Sequence, residues 1–395
     1  MRDTLPESKF PKALAGALLL NKNGLPRYWP IAWRELYGSS KAESTLQKYF
    51  ADMEFLYRSV EQRTGIDCLD AFITSLDFDR LRPILQGIFI ELRHSGSGSN
   101  ERWQRITAYL RHVASQLGAR NAMSKIFADI DVTDCDGKPN RQMKPSDLRA
   151  MPKLVVKDIL QLVDTKSSRN PFRSRDNAYR NSTLVNIFLE LGLRRSEVCL
   201  LTLQSLKRGR DPESGQIRYW INIHEDASAV GETRESKPKI KTVQSIRQIP
   251  VPSKLAQEIE TYITNFRGRQ RHSFLFASQK SKPISKSMIN LIIKTISDNL
   301  SPEAVKDLAD RRRVKSVTPH HFRHTAAVNR LAAFVKDGDP LDVAIDRLRG
   351  FFGWSKKSEM PRYYAKAYFE TLDVKWSERF DDNVRRLRGQ DYVDF

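Results

Sequence analysis

A mainly α-helical chain with one small antiparallel β-sheet, divided into two domains, is the architecture this sequence predicts. Three observations carry the prediction. Apolar residues recur at spacings of three and four over most of the chain. One segment, Ile217–His224, alternates apolar with polar residues instead. Between Asp134 and Lys153, residues Gly137, Pro139, Pro145 and Pro152 stand among polar neighbours, the strongest linker signal in the sequence. The length of 395 residues suits two domains of about 100–200 residues, each large enough to bury its own core.

Along the chain, Ala13–Leu20 is a run of small and apolar residues that reads as a helix turn against a core. It does not read as a secretory signal. Asn21-Lys22-Asn23-Gly24-Leu25-Pro26 is no cleavage site, and Asp3 and Glu7 precede the run. Ser44–Arg63 reads as a helix, with Leu46, Tyr49, Phe50, Met53, Leu56 and Val60 on one stripe. A second clear helix follows the Gly/Ser loop at His94–Asn100, with Asn100 as its N-cap. Trp103, Ile106, Leu110, Val113 and Leu117 form its apolar stripe, and Arg102, Arg105 and Arg111 lie off it. Those three arginines fit a solvated face or a phosphate-facing one equally well.

Only helical patterns precede the linker. After it, helices are expected at Leu154–Val163 and Ser182–Leu191. In Ile217–His224 the apolar Ile217, Tyr219, Ile221 and Ile223 alternate with Arg218, Trp220, Asn222 and His224, which is a strand. Ser245–Pro252 reads as its partner, and Lys237-Pro238-Lys239-Ile240-Lys241 closes the charged loop between them. Helical patterns then resume.

The composition is 40% apolar and 29% charged, that of a folded chain rather than a disordered one. The charge balance is unusual: 67 Lys and Arg against 47 Asp and Glu leave a net charge of +20. Such an excess points to a polyanion partner, nucleic acid before anionic membrane. No stretch approaches the roughly 18 apolar residues of a membrane span. Cys68, Cys135 and Cys199 are odd in number and far apart, so neither a disulfide framework nor a zinc spacing follows, which suits a reducing cytoplasm.

Four patches carry residue types suited to chemistry on a phosphate. In Leu191-Gly192-Leu193-Arg194-Arg195-Ser196-Glu197-Val198 an apolar helix stops at Gly192 and a new one starts near Ser196. Arg194 sits at that corner, where Glu197 can orient it. A purely structural Arg–Glu pair is an equally simple reading of this patch alone. In Thr318-Pro319-His320-His321-Phe322-Arg323-His324-Thr325, Thr318 caps a helix and Pro319 is its first residue. His320 and Arg323 then share a face near a helix end that favours anions. A zinc reading lacks a third ligand, and the pair His320/His324 lacks the Glu of a zinc-protease helix. The third patch leads from Lys241 into the strand ending at Ile249-Pro250. The fourth is Phe352-Gly353-Trp354-Ser355, followed by Met360-Pro361-Arg362-Tyr363-Tyr364-Ala365-Lys366. Taken singly, the last two are ordinary: most such lysines are solvated and most such aromatics are core.

In combination and in this order, the four patches resemble those of the tyrosine recombinases, the phage-integrase superfamily. The family pattern is a Gly-Leu-Arg-x-Ser-Glu box, a Lys-Thr segment running into a strand that ends Ile-Pro, a Thr-Pro-His-x-x-Arg-His-Thr box, then Gly-His/Trp-Ser and a Tyr. The resemblance covers the second domain; the first is similar to the family's core-binding domain only in length, helicity and basic helices.

The resemblance implies a helical core-binding domain followed by a mixed α/β catalytic domain of the DNA breaking-rejoining type. Its boundaries would be an N-terminal extension at 1–26, the core-binding, DNA-binding domain at 27–140, a linker at 141–153, the catalytic domain at 154–364 and a tail at 365–395 that docks on a neighbouring protomer. Arg194 and Arg323 would clamp the scissile phosphate, Glu197 would support Arg194, and Lys241 would protonate the leaving 5′-oxygen. His320 would be the box histidine and Trp354 would stand where many members carry His. His321 stands where many members carry Asp, and no role follows for it. For the nucleophile, nine residues beyond Trp354 lands on Tyr363, with Arg362 before it. Tyr364-Ala365-Lys366 instead resembles the Tyr-Ala-His ending of many members. The ungapped register favours Tyr363, with Tyr364 the alternative and Tyr368 next. In the first domain Arg102, Arg105 and Arg111 are the candidate DNA contacts. No cofactor and no metal is expected, because rejoining through a phosphoester needs neither. The expected partners are double-stranded DNA gripped by both domains and a homotetramer assembled on two DNA sites. No membrane is expected, and there is room for accessory proteins. The setting would be the cytoplasm of a bacterium, or a phage-encoded protein there, at the nucleoid. A type IB topoisomerase-like relaxing enzyme and a catalytically inactive DNA-binding relative stay open as alternatives.

Overall fold

The computed structural model describes residues 2–5, 16–95, 98–132, 150–234, 237–240, 242–356, 358–362, 364–365 and 368. The chain divides into two compact units, Met1–Asn140 and Arg141–Phe395. Most of the stretch expected as a linker, and the tail beyond Tyr368, lie outside the described residues.

The first unit opens with a two-stranded antiparallel hairpin, β1 (Arg2–Leu5) and β2 (Gly16–Leu19), with Arg2 opposite Leu19 and Leu5 opposite Gly16. This corrects the helix turn expected at Ala13–Leu20 and the expectation of helices alone before the linker. A short apolar run has no periodicity that separates helix from buried strand. Here Arg2–Leu5 supplies a partner backbone, and Leu18 and Leu19 are buried. Helices follow: α1 (Tyr28–Trp33), running into a π-helical turn at Arg34–Gly38, α2 (Glu43–Thr64), α3 (Leu69–Thr74), α4 (Phe78–His94), α5 (Ser99–Gln116) and α6 (Arg120–Val132). The stripe read from α2 is inward: Phe50, Met53, Leu56 and Val60 are buried. So are Trp103, Ile106, Leu110 and Val113 of α5. That helix starts earlier than expected. Gly98, at φ +95°, is its N-cap in place of Asn100, and its carbonyl accepts the N–H of Arg102.

The second unit holds α7 (Lys153–Val163), α8 (Arg175–Leu191), α9 (Arg195–Leu200), α10 (Ser253–Thr261), α11 (Lys286–Asp298), α12 (Pro302–Arg312), α13 (Pro319–Lys336) and α14 (Leu341–Phe352). A three-stranded antiparallel sheet lies between α9 and α10 in sequence: β3 (Leu206–Arg210), β4 (Ile217–Ile223) and β5 (Arg247–Val251), with β4 central. Ile221 stands opposite both Leu206 and Ile249, and Ile221, Ile223 and Ile249 turn to the core while Ile217 at the strand start is exposed. β3 was not expected. Its sequence, Leu-Lys-Arg-Gly-Arg, is a charged edge strand, which discourages further pairing but leaves no apolar alternation to read.

The core of this unit joins Val155 and Ile159 of α7, Leu184, Phe188 and Leu191 of α8, the sheet, Ile289 and Ile293 of α11 and Phe322 of α13. A smaller apolar cluster joins α13 to α14 through Ala327, Leu331, Leu348 and Phe352 and includes Tyr364.

Candidate active site

At the α8–α9 corner, Gly192 ends α8 in the left-handed conformation, φ +58°. A side chain there would be strained, and its Cβ would press into the Phe352 ring. Two residues on, Arg194 takes the N-cap position of α9 with an extended backbone, in place of the expected Ser196. The reason is Glu197. Its carboxylate turns back from the third helical position and accepts the backbone N–H of Arg194 at 2.9 Å. The other oxygen accepts from Arg194 Nη1 at 2.7 Å. Arg194 Nη1 also donates to Ser245 Oγ at 2.9 Å, and Nη2 approaches the Gly353 carbonyl at 3.5 Å. The Arg194 side chain keeps 21% of its surface exposed, whereas that of Glu197 keeps 1%.

The start of α13 follows the sequence reading: Thr318 is the N-cap and Pro319 the first helical residue. His320 is exposed on the first turn. His321, which had no expected role, completes this cap. Its buried ring accepts the Thr318 N–H at Nδ1, 2.9 Å, so the neutral ring carries its proton on Nε2. Asp, common at this position in the family pattern, offers an acceptor too. Arg323, one turn further, is 5% exposed. Its Nη1 donates to the Gly192 carbonyl at 2.5 Å and its Nη2 to the Phe352 carbonyl at 2.7 Å. Each carbonyl lies at a helix C-terminus, where the last C=O groups lack intrahelical partners and a cation is favoured. Arg323 therefore ties the ends of α8 and α14, and its Nη1 lies 3.9 Å from Glu197.

A third arginine completes the cluster, and sequence reasoning missed it. Arg247 opens β5 and grips Glu197 with both η nitrogens, each at 3.2 Å. Its Nε donates to the Phe351 carbonyl at 2.8 Å and its Nη1 to the Ser245 carbonyl at 2.7 Å. The available signal was parity: Arg247 is in step with Ile249 and Val251, the buried positions of the strand.

Past α14, Gly353 turns the chain at φ +61° and Trp354 stacks on Phe352, ring centroids 4.8 Å apart. The Arg323 guanidinium lies 5.4 Å from the Trp354 ring centroid. Tyr364, 2% exposed, stacks on the other neighbour of this series: its ring is 5.2 Å from Trp354 and meets His324 edge-on at 5.1 Å. Arg194, Glu197 and Arg323 are thus brought together, with Trp354 and Tyr364 beside them. Lys241 and Tyr363 lie outside the described residues. Next to Lys241, the Thr242 hydroxyl is 3.0 Å from that of Ser245.

Burial alone would raise the Glu197 carboxyl, but Arg247, Arg323 and Arg194 together hold it below the usual carboxylate range. Burial, with Arg194 adding to it, pushes the Arg323 guanidinium down to about 9 despite Glu197. It stays charged at neutral pH. One carboxylate facing three guanidinium groups leaves a local excess of positive charge, an arrangement that can receive an anion.

In the first unit, the candidate arginines have partners within the fold. Arg102 and Arg105 both donate through Nε to the buried Asp52, at 3.0 and 2.5 Å. Arg102 also lies over the Phe55 ring at 4.7 Å, and Arg111 over Phe127 at 5.0 Å.

Among the described residues no helix is long and apolar enough to cross a membrane, and no group of three or more His, Cys, Asp or Glu could hold a metal ion. No curated protein matches the chain. Solved structures similar to it include the Tn1549 transposon integrase in complex with transposon right-end DNA, 16% identical, covering 87% of this chain and 98% of that one, TM-score 0.43. XerA recombinase is 13% identical over 88% of this chain and 97% of its own, TM-score 0.36. A fragment of lambda integrase bound to DNA is 11% identical over 84% and 91%, TM-score 0.35. No residue correspondence follows from identities this low. The profile of the phage integrase family matches residues 150–370, more than half of the chain and the whole span that holds Arg194, Glu197, Arg247, Arg323 and Trp354. With that match and these side chains converging in the second unit, the chain belongs to the phage integrase family.

Proposed function

We propose that this protein is a site-specific DNA recombinase that cleaves and rejoins duplex DNA through a covalent 3′-phosphotyrosyl link, integrating or excising a mobile element. The observation that carries the reading is the convergence of Arg194 and Arg323, 129 positions apart in sequence, on the single buried carboxylate of Glu197.

In this reading the two arginines bind the non-bridging oxygens of the scissile phosphate. Their benefit is largest in the five-coordinate transition state, where charge on those oxygens grows. The Tyr363 hydroxyl passes its proton to His320, and its oxygen bonds to phosphorus. The bond from phosphorus to the 5′-oxygen breaks, and Lys241 gives that oxygen a proton. Trp354 borders the cluster and offers an indole N–H donor. Rejoining runs in reverse: a 5′-hydroxyl of the partner strand attacks phosphorus and releases tyrosine. The phosphoester count is unchanged, so the sequence of steps needs no nucleotide energy source. The ungapped spacing from Trp354 supports Tyr363 as the attacking residue, while Tyr364, packed between Trp354 and His324 and near enough to Arg323 to act on its charge, is the alternative. Both units would contact duplex DNA, and strand exchange would take place in a tetramer on two sites.

The test is a covalent adduct. The protein is incubated with nicked suicide DNA built from the junctions flanking its own gene, then run on a denaturing gel. The wild type and Tyr364→Phe are expected to form adduct and Tyr363→Phe to form none. Adduct from Tyr363→Phe but not Tyr364→Phe would move the role to Tyr364. Adduct from both variants would remove the role from this pair and turn attention to Tyr368.

A further inference from the structure

We infer that Arg247 is a positioning residue for the strand-cleavage reaction, acting by holding the Glu197 carboxylate so that Arg194 stays available to the phosphate. The inference rests on the reading of Arg194 and Arg323 as phosphate-binding side chains.

Glu197 could be gripped in the two-pronged manner by any of the three guanidinium groups around it, and the distances show which one has it. Arg247 presents both η nitrogens to the two carboxylate oxygens. Arg194 makes one side-chain contact, through Nη1, and Arg323 stands off at 3.9 Å. Arg247 is also held by the Phe351 and Ser245 carbonyls. Arg323 is as buried and also holds two carbonyls, so what sets Arg247 apart is its two-pronged grip on Glu197. Those carbonyls belong to the end of α14 and the turn before β5, so the contact also fastens the sheet to the segment leading to Trp354.

Without Arg247, two things change. The carboxylate can rotate to take a two-pronged grip on Arg194, and the N–H groups of Arg194 are then used inside the protein. The cluster also loses one of its three positive charges, so Glu197 offsets a larger share of what remains. Both effects weaken the hold on the transition state more than the hold on DNA, because many other phosphate contacts carry affinity. The groups facing Glu197 are Arg194 at the α8–α9 corner, Arg247 on β5 and Arg323 on α13. Removing Arg247 leaves burial opposed by two arginines instead of three, so the Glu197 carboxyl rises. Its protonated form cannot orient Arg194 as the carboxylate does.

The experiment uses the full chain with Arg247→Met, Arg247→Lys, Glu197→Gln and the double variant Arg247→Met/Glu197→Gln. Single-turnover adduct formation on suicide DNA should fall about 10²-fold in Arg247→Met, the scale of one positioned charge-assisted contact. The DNA dissociation constant should stay within about threefold. The acid limb of the rate–pH profile should move to higher pH, a change that loss of folded protein alone does not produce. Arg247→Lys should recover only part of the rate, since an ammonium lacks the two-pronged fork. In the Glu197→Gln background, Arg247→Met should cost less than about threefold more, because the two residues act through one contact. Rates within threefold of wild type in Arg247→Met, multiplying losses in the double variant, or an unmoved acid limb would each overturn the inference. Melting temperatures of the wild type, Arg247→Met, Glu197→Gln and the double variant report the Arg247–Glu197 coupling without DNA. Additive shifts there count against the inference, whereas coupled shifts with no adduct from the wild type count against the recombinase reading.

Discussion

Glu197 is the residue on which the candidate site turns: it caps α9, fixes the rotamer of Arg194 and balances part of the charge of Arg323 and Arg247. Arginine suits the two proposed phosphate-binding positions because its planar fork stays charged even when buried. For the proposed reaction, Arg194→Ala and Arg323→Ala should each lower adduct formation by at least about 10³-fold, with DNA affinity changed by no more than a few-fold. Gel adducts and equilibrium binding on the same DNA check both halves. The two variants should differ in stability. Arg323 satisfies two buried carbonyls and its loss should cost about 2–4 kcal/mol, whereas the half-buried Arg194 should cost less. Urea midpoints separate them.

Helix ends rather than helix faces build this site. Gly192 is the C-cap of α8, Arg194 the N-cap of α9, Thr318 the N-cap of α13, and α14 stops at Phe352. Gly192→Ala tests how tightly these ends meet. The added Cβ would press on Phe352 and on Ala326 Cβ, 2.9 Å away, in a backbone conformation that alanine resists. About 2–4 kcal/mol of destabilisation is expected, read as a lower melting temperature. A pH effect belongs to another element, the loop between α10 and α11. Burial, with Arg267 and Arg234 nearby, holds the His272 imidazole below its usual value, against Glu232 and the Phe274 backbone. Its folded value is depressed, so the unfolded chain takes up the proton first. Stability from this group is therefore complete above about pH 6.5 and declines as pH falls below it. Urea midpoints measured from pH 7.5 to 5.5 should fall for the wild type and fall less for His272→Gln. That window lies above the range where the depressed carboxyls of Glu197 and Asp158 titrate.

On the scale of the whole molecule, a net charge of +20 is a statement about association rather than fold. If both units contact DNA, the logarithm of the binding constant should decline with the logarithm of salt concentration at a slope of about −6 to −10. Removal of residues 1–140 should weaken binding and flatten that slope. A slope near −2, or unchanged binding after truncation, would confine the contact to the second unit. Arg102 and Arg105 have a duty inside the fold, on buried Asp52, so their replacement is expected to lower the melting temperature of the first unit as well as DNA affinity.

By itself the sequence determined the helical class, a strand read at Ile217–His224 and found at Ile217–Ile223, the helix start at Thr318–Pro319 and the stop at Gly192. Each is written in local chemistry: a period of 3.6 or 2, a cap, a residue that tolerates positive φ. The motif residues Arg194, Glu197, Arg323 and Trp354 came instead from the resemblance to the tyrosine recombinases, since each patch taken singly had an ordinary structural reading. Local chemistry failed where a partner decides. Gly16–Leu19 became a strand because Arg2–Leu5 lies beside it, and the charged Leu206–Arg210 became one because β4 offered an edge. His321 became a cap through Thr318, and Arg247 joined the site through Glu197, 50 positions away in sequence. Only the tertiary structure decided these, since the energy of a buried charge or an unpaired strand depends on the group opposite it, and sequence order does not state which group that is.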